Sequence, residues 1–242
     1  MDMTETSVEP VASRWPDDHR MNYPILIVGA GGHGLEVFSY IRALADHGQP
    51  QPIFGFVDEN KTAGCFETTM ILGGFEALAG YVPPRADGIF YYITAVGNNQ
   101  ARMKLVKKME TLSKRNLIPW TLCHPQATIG LDVSIGEGSC VAPGCIITTR
   151  VRIGKHCILN VNASVSHDAV VGDYVNLNPG AVVCGNVQIG KGCFIGAGAT
   201  IIDKVAIGDG TIIGAGAVVT NNLPAHVTAV GVPACIIKRH TS

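Results

Sequence analysis

The chain is short of charge and of aromatic rings. Only 15% of its 242 residues are charged and the net charge is -1, so neither nucleic acid nor an anionic membrane surface is expected as a partner. Its longest uncharged runs are broken by regularly spaced glycines and polar residues, which argues against membrane insertion through an apolar helix. No CxxC pair and no His/Cys cluster at metal-ligand spacing occurs among the eight cysteines and eight histidines, so no metal site is expected. Residues 1–20 are polar and lack the apolar stretch of a secretory signal; they are expected to form a disordered extension. Cysteines in a chain without such a signal are expected to remain thiols in the cytoplasm.

What the chain does have is a repeat. From Ala127 to Asn222, sixteen hexads follow one another without insertion, and their third position is always Ile, Val or Leu. A period of six is the signature of a parallel β-helix, in which three hexads close one triangular coil of eighteen residues. Strand alternation sends positions 1 and 3 inward and position 2 outward. Position 1 holds only Ala, Val, Ser, Cys or Thr, so Cys145, Cys157 and Cys193 read as small core fillers.

Residues 21–122 have another rhythm. The apolar run from Pro24 to Val28 leads into the GxGxxG stretch Gly29-Ala30-Gly31-Gly32-His33-Gly34 and then a helix from about Leu35 to Asp46. A second strand, Ile53–Val57, ends at Asp58 and Glu59, and a third, Ile89–Val96, ends at Gly97 before a helix to about Arg115. Alternating strands and helices predict a small Rossmann-like parallel α/β domain of about three strands. The glycine turn and helix N-terminus suit a phosphate. Three readings stay open at this point: a nucleotide or nucleotide sugar, NAD(P), or a structural turn. Half of a full dinucleotide fold favours the first, with His33 as a donor to phosphate or sugar.

The three walls of the repeat differ. The wall with Ser134, Arg152, Val170, Gln188 and Ala206 outward is followed by glycine at every corner, which reads as a left-handed turn. The wall with Cys140, Ile158, Asn176, Phe194 and Ile212 outward is apolar except for Asn176, and reads as a subunit contact. At the corner after the third wall, position 4 is glycine only at Gly130 and then reads Thr148, Ser166, Cys184, Ile202 and Thr220, and Ser166-His167-Asp168 occupies one of these turns. An eighteen-residue coil stacks Thr149, His167, Gly185 and Asp203, about 4.8 Å apart. His167 then lies beside the Gly185 backbone, the arrangement of a general base next to an oxyanion donor. The alternative is a solvated corner histidine, which fits His156 better. Asn176, polar in an apolar stripe, reads either as part of a site between subunits or as packing against a neighbour's loop.

The GAGGHG loop, the VGNN strand end, His124-Pro125, the unbroken hexads with His167-Asp168 and the closing GVPA at Gly231–Ala234 resemble the bacterial nucleotide-sugar acetyltransferases. That group includes UDP-4-amino-sugar and GDP-perosamine N-acetyltransferases and sialic acid O-acetyltransferases. The resemblance, over residues 23 to about 238, implies a left-handed β-helix from residue 123 to 242, a homotrimer with active sites between subunits, and acetyl-CoA as co-substrate. It implies that Gly31, Gly32, His33, Asp58, Glu59 and Gly97 hold the nucleotide-linked amino sugar, and that His167, Asp168 and Gly185 are catalytic. Asn176, Gly185, Ala197 and Ala215 would meet acetyl-CoA. Some relatives carry a second histidine where this chain has Asn176. The implied reaction is N-acetylation, at C4 of a UDP-linked sugar, for surface glycans; O-acetylation of a sialic-acid-like sugar and a non-catalytic sugar-binding scaffold are the alternatives.

Overall fold

A strand that is apolar along its whole length must be covered on both faces, and the run Ile25–Val28 (β1) is buried at every residue in the centre of a sheet. The computed structural model describes residues 24–80, 89–112 and 117–240; the expectation for residues 1–20 lies outside them. β1 pairs in parallel with β2 (Ile53–Val57) and β5 (Phe90–Thr94). The remaining strands are β3 (Gly64–Phe66), β4 (Thr69–Ile71) and β6 (Leu117–Pro119), and the order is β3-β4-β2-β1-β5-β6. The sheet therefore has twice the strands expected, because three-residue strands are too short to show a periodicity. Helices α1 (Gly32–Asp46) and α2 (Asn99–Leu112) follow β1 and β5. The connections reverse direction at β1, which opens a crevice at its C-terminal end.

The hexads form a left-handed β-helix whose walls are sheets of eight, six and five strands. Partners are eighteen residues apart, as in Cys140↔Ile158↔Asn176↔Phe194↔Ile212. Leu122–Cys123 already pairs with Cys140–Val141, so the solenoid starts one strand before the regular hexads. At the other end Val227–Val230 extends the same wall and Cys235–Arg239 returns antiparallel across it. From Ser139 onward every residue at positions 1 and 3 is buried. Each buried Val, Leu or Ile contributes roughly 1.5–3 kcal/mol. The three cysteines are part of this packing, and burial pushes the Cys157 thiol up to about 12.

The glycine corners have a different cause from the one expected. The left-handed residue is at position 6, as at Gly138 (φ 72), His156 (φ 52) and Tyr174 (φ 58), whereas Gly136 and Gly154 at position 4 have no such φ. A Cβ on Gly136 would lie 2.5 Å from the Gly154 carbonyl carbon. Glycine is required there because successive coils approach too closely for a side chain, not because of the turn.

The apolar stripe also has a cover other than the one expected. Cys140, Ile158 and Asn176 are buried within the chain itself, beneath the start of α2. Arg102, fully buried, donates from Nε to the His156 carbonyl (2.9 Å), from Nη1 to that of Val96 (2.9 Å), and from Nη2 to the Tyr174 carbonyl (3.0 Å) and Asn176 Oδ1 (2.6 Å). Asn99 Nδ2 donates to the carbonyls of Tyr174, Gly192 and Cys193. The α/β domain thus docks on the second wall, and only the upper end of the stripe, Phe194 and Ile212, remains partly open.

His156 is likewise no solvated corner residue. It is 3% exposed and its ring stacks between Tyr92 and Tyr174, with centroids 6.4 and 5.2 Å away. Burial pushes its imidazole down to about 4. The unfolded chain, with an ordinary histidine near 6.5, then binds more protons than the folded one between those values. Stability is therefore expected to fall as pH drops through that window, by roughly 3 kcal/mol in full. Urea unfolding at pH 7 and pH 4.5 checks this: His156→Asn, which tolerates the left-handed corner, should lose the histidine's share of the acid-induced drop.

Candidate functional site

Two clusters of polar residues are positioned by these elements. The first surrounds the crevice at β1. Gly29 (φ 113) and Gly34 are fixed by packing, since a Cβ on Gly34 would lie 2.3 Å from the Gly29 carbonyl oxygen. Gly31 and Gly32 are different: both are exposed, neither has a left-handed φ, and a Cβ on either would meet nothing within 4 Å. The fold does not need glycine there, but a group brought close to the backbone would. Gly31 caps α1 with no side-chain bond, so the helix N-terminus is offered to an anion.

The side chains around this loop are partly committed. His33 Nδ1 lies 2.8 Å from Glu36 Oε2, while its Nε2 is buried without a partner. Asp58 accepts from the Ala30 and Asn60 amides, both at 2.9 Å, and so fastens the glycine loop to the end of β2. Lys61 donates to the Ala30 carbonyl and lies over the Phe66 ring. Glu59 pairs with Lys108 at 2.9 Å and accepts from the Phe75 amide at 3.1 Å, interactions that hold its carboxyl below the usual range. Gly97 is exposed with open space around its Cα, and its carbonyl accepts from Asn176 Nδ2.

The second cluster is the corner after the third wall, where position 4 carries no glycine beyond Gly130. His167 Nδ1 lies 2.8 Å from Asp168 Oδ2, and a Cβ built on Gly185 would lie 2.7 Å from His167 Nε2. The imidazole therefore lies directly against the Gly185 backbone, as the eighteen-residue stacking requires. Among the described residues the Gly185 N–H has no acceptor, while its carbonyl receives the Lys204 amide. Arg150, missed in the sequence, grips Asp168 through Nε (2.6 Å) and Nη2 (2.9 Å). Its signal was present: Arg150 precedes Asp168 by one coil. The Arg150 guanidinium, with His167 second, holds the Asp168 carboxyl far below its ordinary range, so Asp168 is an anion throughout the neutral region. An anion at Nδ1 favours the tautomer with its proton on that nitrogen and leaves Nε2 free to accept one.

Asn176 belongs to neither exposed cluster. Its side chain is occupied on both sides, by Arg102 and by the Gly97 carbonyl, which gives the polar residue in the apolar stripe its reason inside the chain. Ala197 and Ala215 are exposed at the corner joining the second and third walls. Gly198 and Gly216 beside them have open space where a Cβ would be, so this edge is a strip of bare backbone. Along the first wall a groove of about 480 Å³ runs past Val170, Gln188, Ala206 and Pro224.

The clusters are on different sides of the prism. The His167 corner joins the third wall (Ser164–Val165) to the first (Val170–Val171), whereas Asn176 and the docked α/β domain occupy the second. In a triangular coil that wall is opposite that corner. The glycine loop and Gly97 of one chain therefore face away from its own His167.

Both halves of the chain are similar to known proteins. The PglD N-terminal domain profile matches residues 24–109 and the bacterial transferase hexapeptide profile matches residues 186–221. No curated protein matches the chain. Among solved structures, a histidine-to-asparagine variant of perosamine N-acetyltransferase from Caulobacter crescentus, bound to CoA and GDP-perosamine, is 32% identical, with a TM-score of 0.80 over 89% of this chain and 97% of that one. WeeI from Acinetobacter baumannii is 32% identical (TM-score 0.76; 88% and 99% covered). The acetyltransferase domain of PglB from Neisseria gonorrhoeae is 29% identical (TM-score 0.76; 89% and 100% covered). At this identity and coverage, the chain belongs to the hexapeptide-repeat sugar acetyltransferase family.

Proposed function

We propose that this protein transfers the acetyl group of acetyl-CoA to the amine, at C4, of a nucleotide-linked amino-deoxy sugar, with UDP as the favoured carrier, in the assembly of a surface glycan. The observation that carries the reading is the His167–Asp168 pair against the Gly185 backbone. The related enzyme bound to CoA and GDP-perosamine supports the co-substrate and the acceptor class, and the open backbone at Gly31, Gly32 and Gly97 supports a nucleotide sugar at the crevice.

In this mechanism the sugar nitrogen attacks the thioester carbonyl while His167 Nε2 takes its proton. The Gly185 N–H stabilises the oxyanion that develops. Collapse breaks the C–S bond, and the proton on His167 passes to the departing CoA sulfur. Asp168, clamped by Arg150, orients the imidazole and balances its transient charge. No cysteine acts as a nucleophile.

Because His167 faces away from its own crevice, the acceptor comes from a neighbouring copy, and the active unit is a homotrimer with sites between subunits. Acetyl-CoA then runs in the groove between adjacent β-helices, with its pantetheine arm over Ala197 and Ala215. The eight unpaired cysteines agree with a cytoplasmic setting. A thiol-release assay with acetyl-CoA against UDP-, GDP- and dTDP-linked 4-amino sugars and a sialic acid tests the proposal. Release with the UDP-amino sugar above the others is expected. Release with the sialic acid alone would replace the amine by a hydroxyl acceptor, and a flat response would overturn the reading.

A further inference from the structure

We propose that Asn176 and Arg102 form a positioning pair that sets where the acceptor sugar lies, by tying the strand-end loop Val96–Gly97 of the α/β domain to the second wall of the β-helix. The proposal rests on the nucleotide-sugar reading above for what the loop holds, and on the hydrogen bonds for how it is held.

The two domains are joined at this loop by side chains that reach from one domain to the backbone of the other. Arg102 Nη1 donates to the Val96 carbonyl, and Asn176 Nδ2 donates to the next carbonyl, Gly97. The two side chains are themselves joined, Nη2 to Oδ1 at 2.6 Å. Both side chains are buried, at 0% and 3% exposure, and the bond between them is shielded from water, where it is worth more than a surface contact. Gly97 itself is exposed, with room for a ligand. One face of the Gly97 peptide is therefore pinned from the β-helix while its other face is open to the crevice.

The amide group is what this position needs. It must accept from a guanidinium on one side and donate to a carbonyl on the other, and a carboxamide does both. An aspartate side chain in its place would keep the Arg102 bond and lose the donor, placing a carboxylate oxygen against the Gly97 carbonyl. Asn176→Asp therefore pushes the loop away while leaving the buried cation paired. It separates loop position from domain docking, which Arg102 substitutions cannot do.

The experiment compares wild type, Asn176→Asp and Asn176→Ala by steady-state kinetics in both substrates and by amide hydrogen exchange without ligand. The KM for the nucleotide sugar should rise about tenfold or more in Asn176→Asp, while the KM for acetyl-CoA stays within about twofold. Exchange should accelerate in residues 96–99 and remain unchanged in the coils from residue 139 to 219. A rise in the acetyl-CoA KM with the sugar KM unchanged would overturn the proposal and make Asn176 a contact of the co-substrate. Lower stability with both KM values unchanged would leave a merely structural clamp and also overturn it. If wild type turns over no nucleotide amino sugar, the acceptor reading fails by itself; the loop is then judged on exchange alone, and unaltered exchange at residues 96–99 overturns the pair's role.

Discussion

Replacing His167 with alanine is expected to lower turnover by about 10²–10⁴-fold, the usual worth of a positioned general base. The loss should fall on kcat, with the KM for acetyl-CoA little changed, because the imidazole acts on the proton of the attacking amine and not on the CoA arm. Its side chain is 56% exposed and contributes nothing to the buried coil, so the variant should fold as wild type does. Thiol release at saturating acetyl-CoA measures the effect. Retention of most of the turnover would remove His167 from the mechanism. Asp168→Asn is a weaker version of the same test, since the carboxamide keeps a contact at Nδ1 but removes the anion that sets the tautomer.

The second large effect is on stability. Arg102→Leu should destabilise the protein by about 3–5 kcal/mol, because it removes the donor at the centre of a buried hydrogen-bond network. Burial pushes the Arg102 guanidinium down to about 10, which leaves it charged at neutral pH. It has no carboxylate partner in the network described: its donors go to three carbonyls and one carboxamide oxygen. Leucine would fill much of the space and leave three acceptors without this donor, the His156 and Val96 carbonyls and Asn176 Oδ1, each costing about 1–3 kcal/mol, while the Tyr174 carbonyl keeps its bond from Asn99 Nδ2. The gain from no longer burying a cation offsets part of that sum. A urea midpoint lower by on the order of 1–2 M is expected. A midpoint equal to wild type would show that the domains are held together by apolar contact alone. Arg102→Lys, which keeps the charge but not the planar fork, should fall between the two.

Much of this protein is legible from its residues because its main domain is periodic. A strict period of six fixes coil length, so it fixes which residues stack: His167 on Gly185, and Arg150 on Asp168, are consequences of an interval of eighteen. The glycine loop and the long apolar strands are equally plain, since β1 and β2 are carried by residues that cannot be left in water. The short strands β3, β4 and β6 gave no such signal. Nor did the role of Glu59, whose pairing with Lys108 depends on where α2 lies against the sheet.

By itself the sequence determined the architecture of each half, the corner that carries His167 and Asp168, and the family resemblance that the structural comparisons bear out. Only the tertiary structure decided how the halves meet. Periodicity describes contacts between one coil and the next, at fixed separations along the chain, whereas the docking hydrogen bonds join residues 54 or more positions apart with no regular interval. The apolar stripe could be read as a surface needing a cover. That its cover is the chain's own α2, that Asn176 is there for Arg102 and Gly97, and that the crevice faces away from its own histidine all follow from which wall the domain occupies.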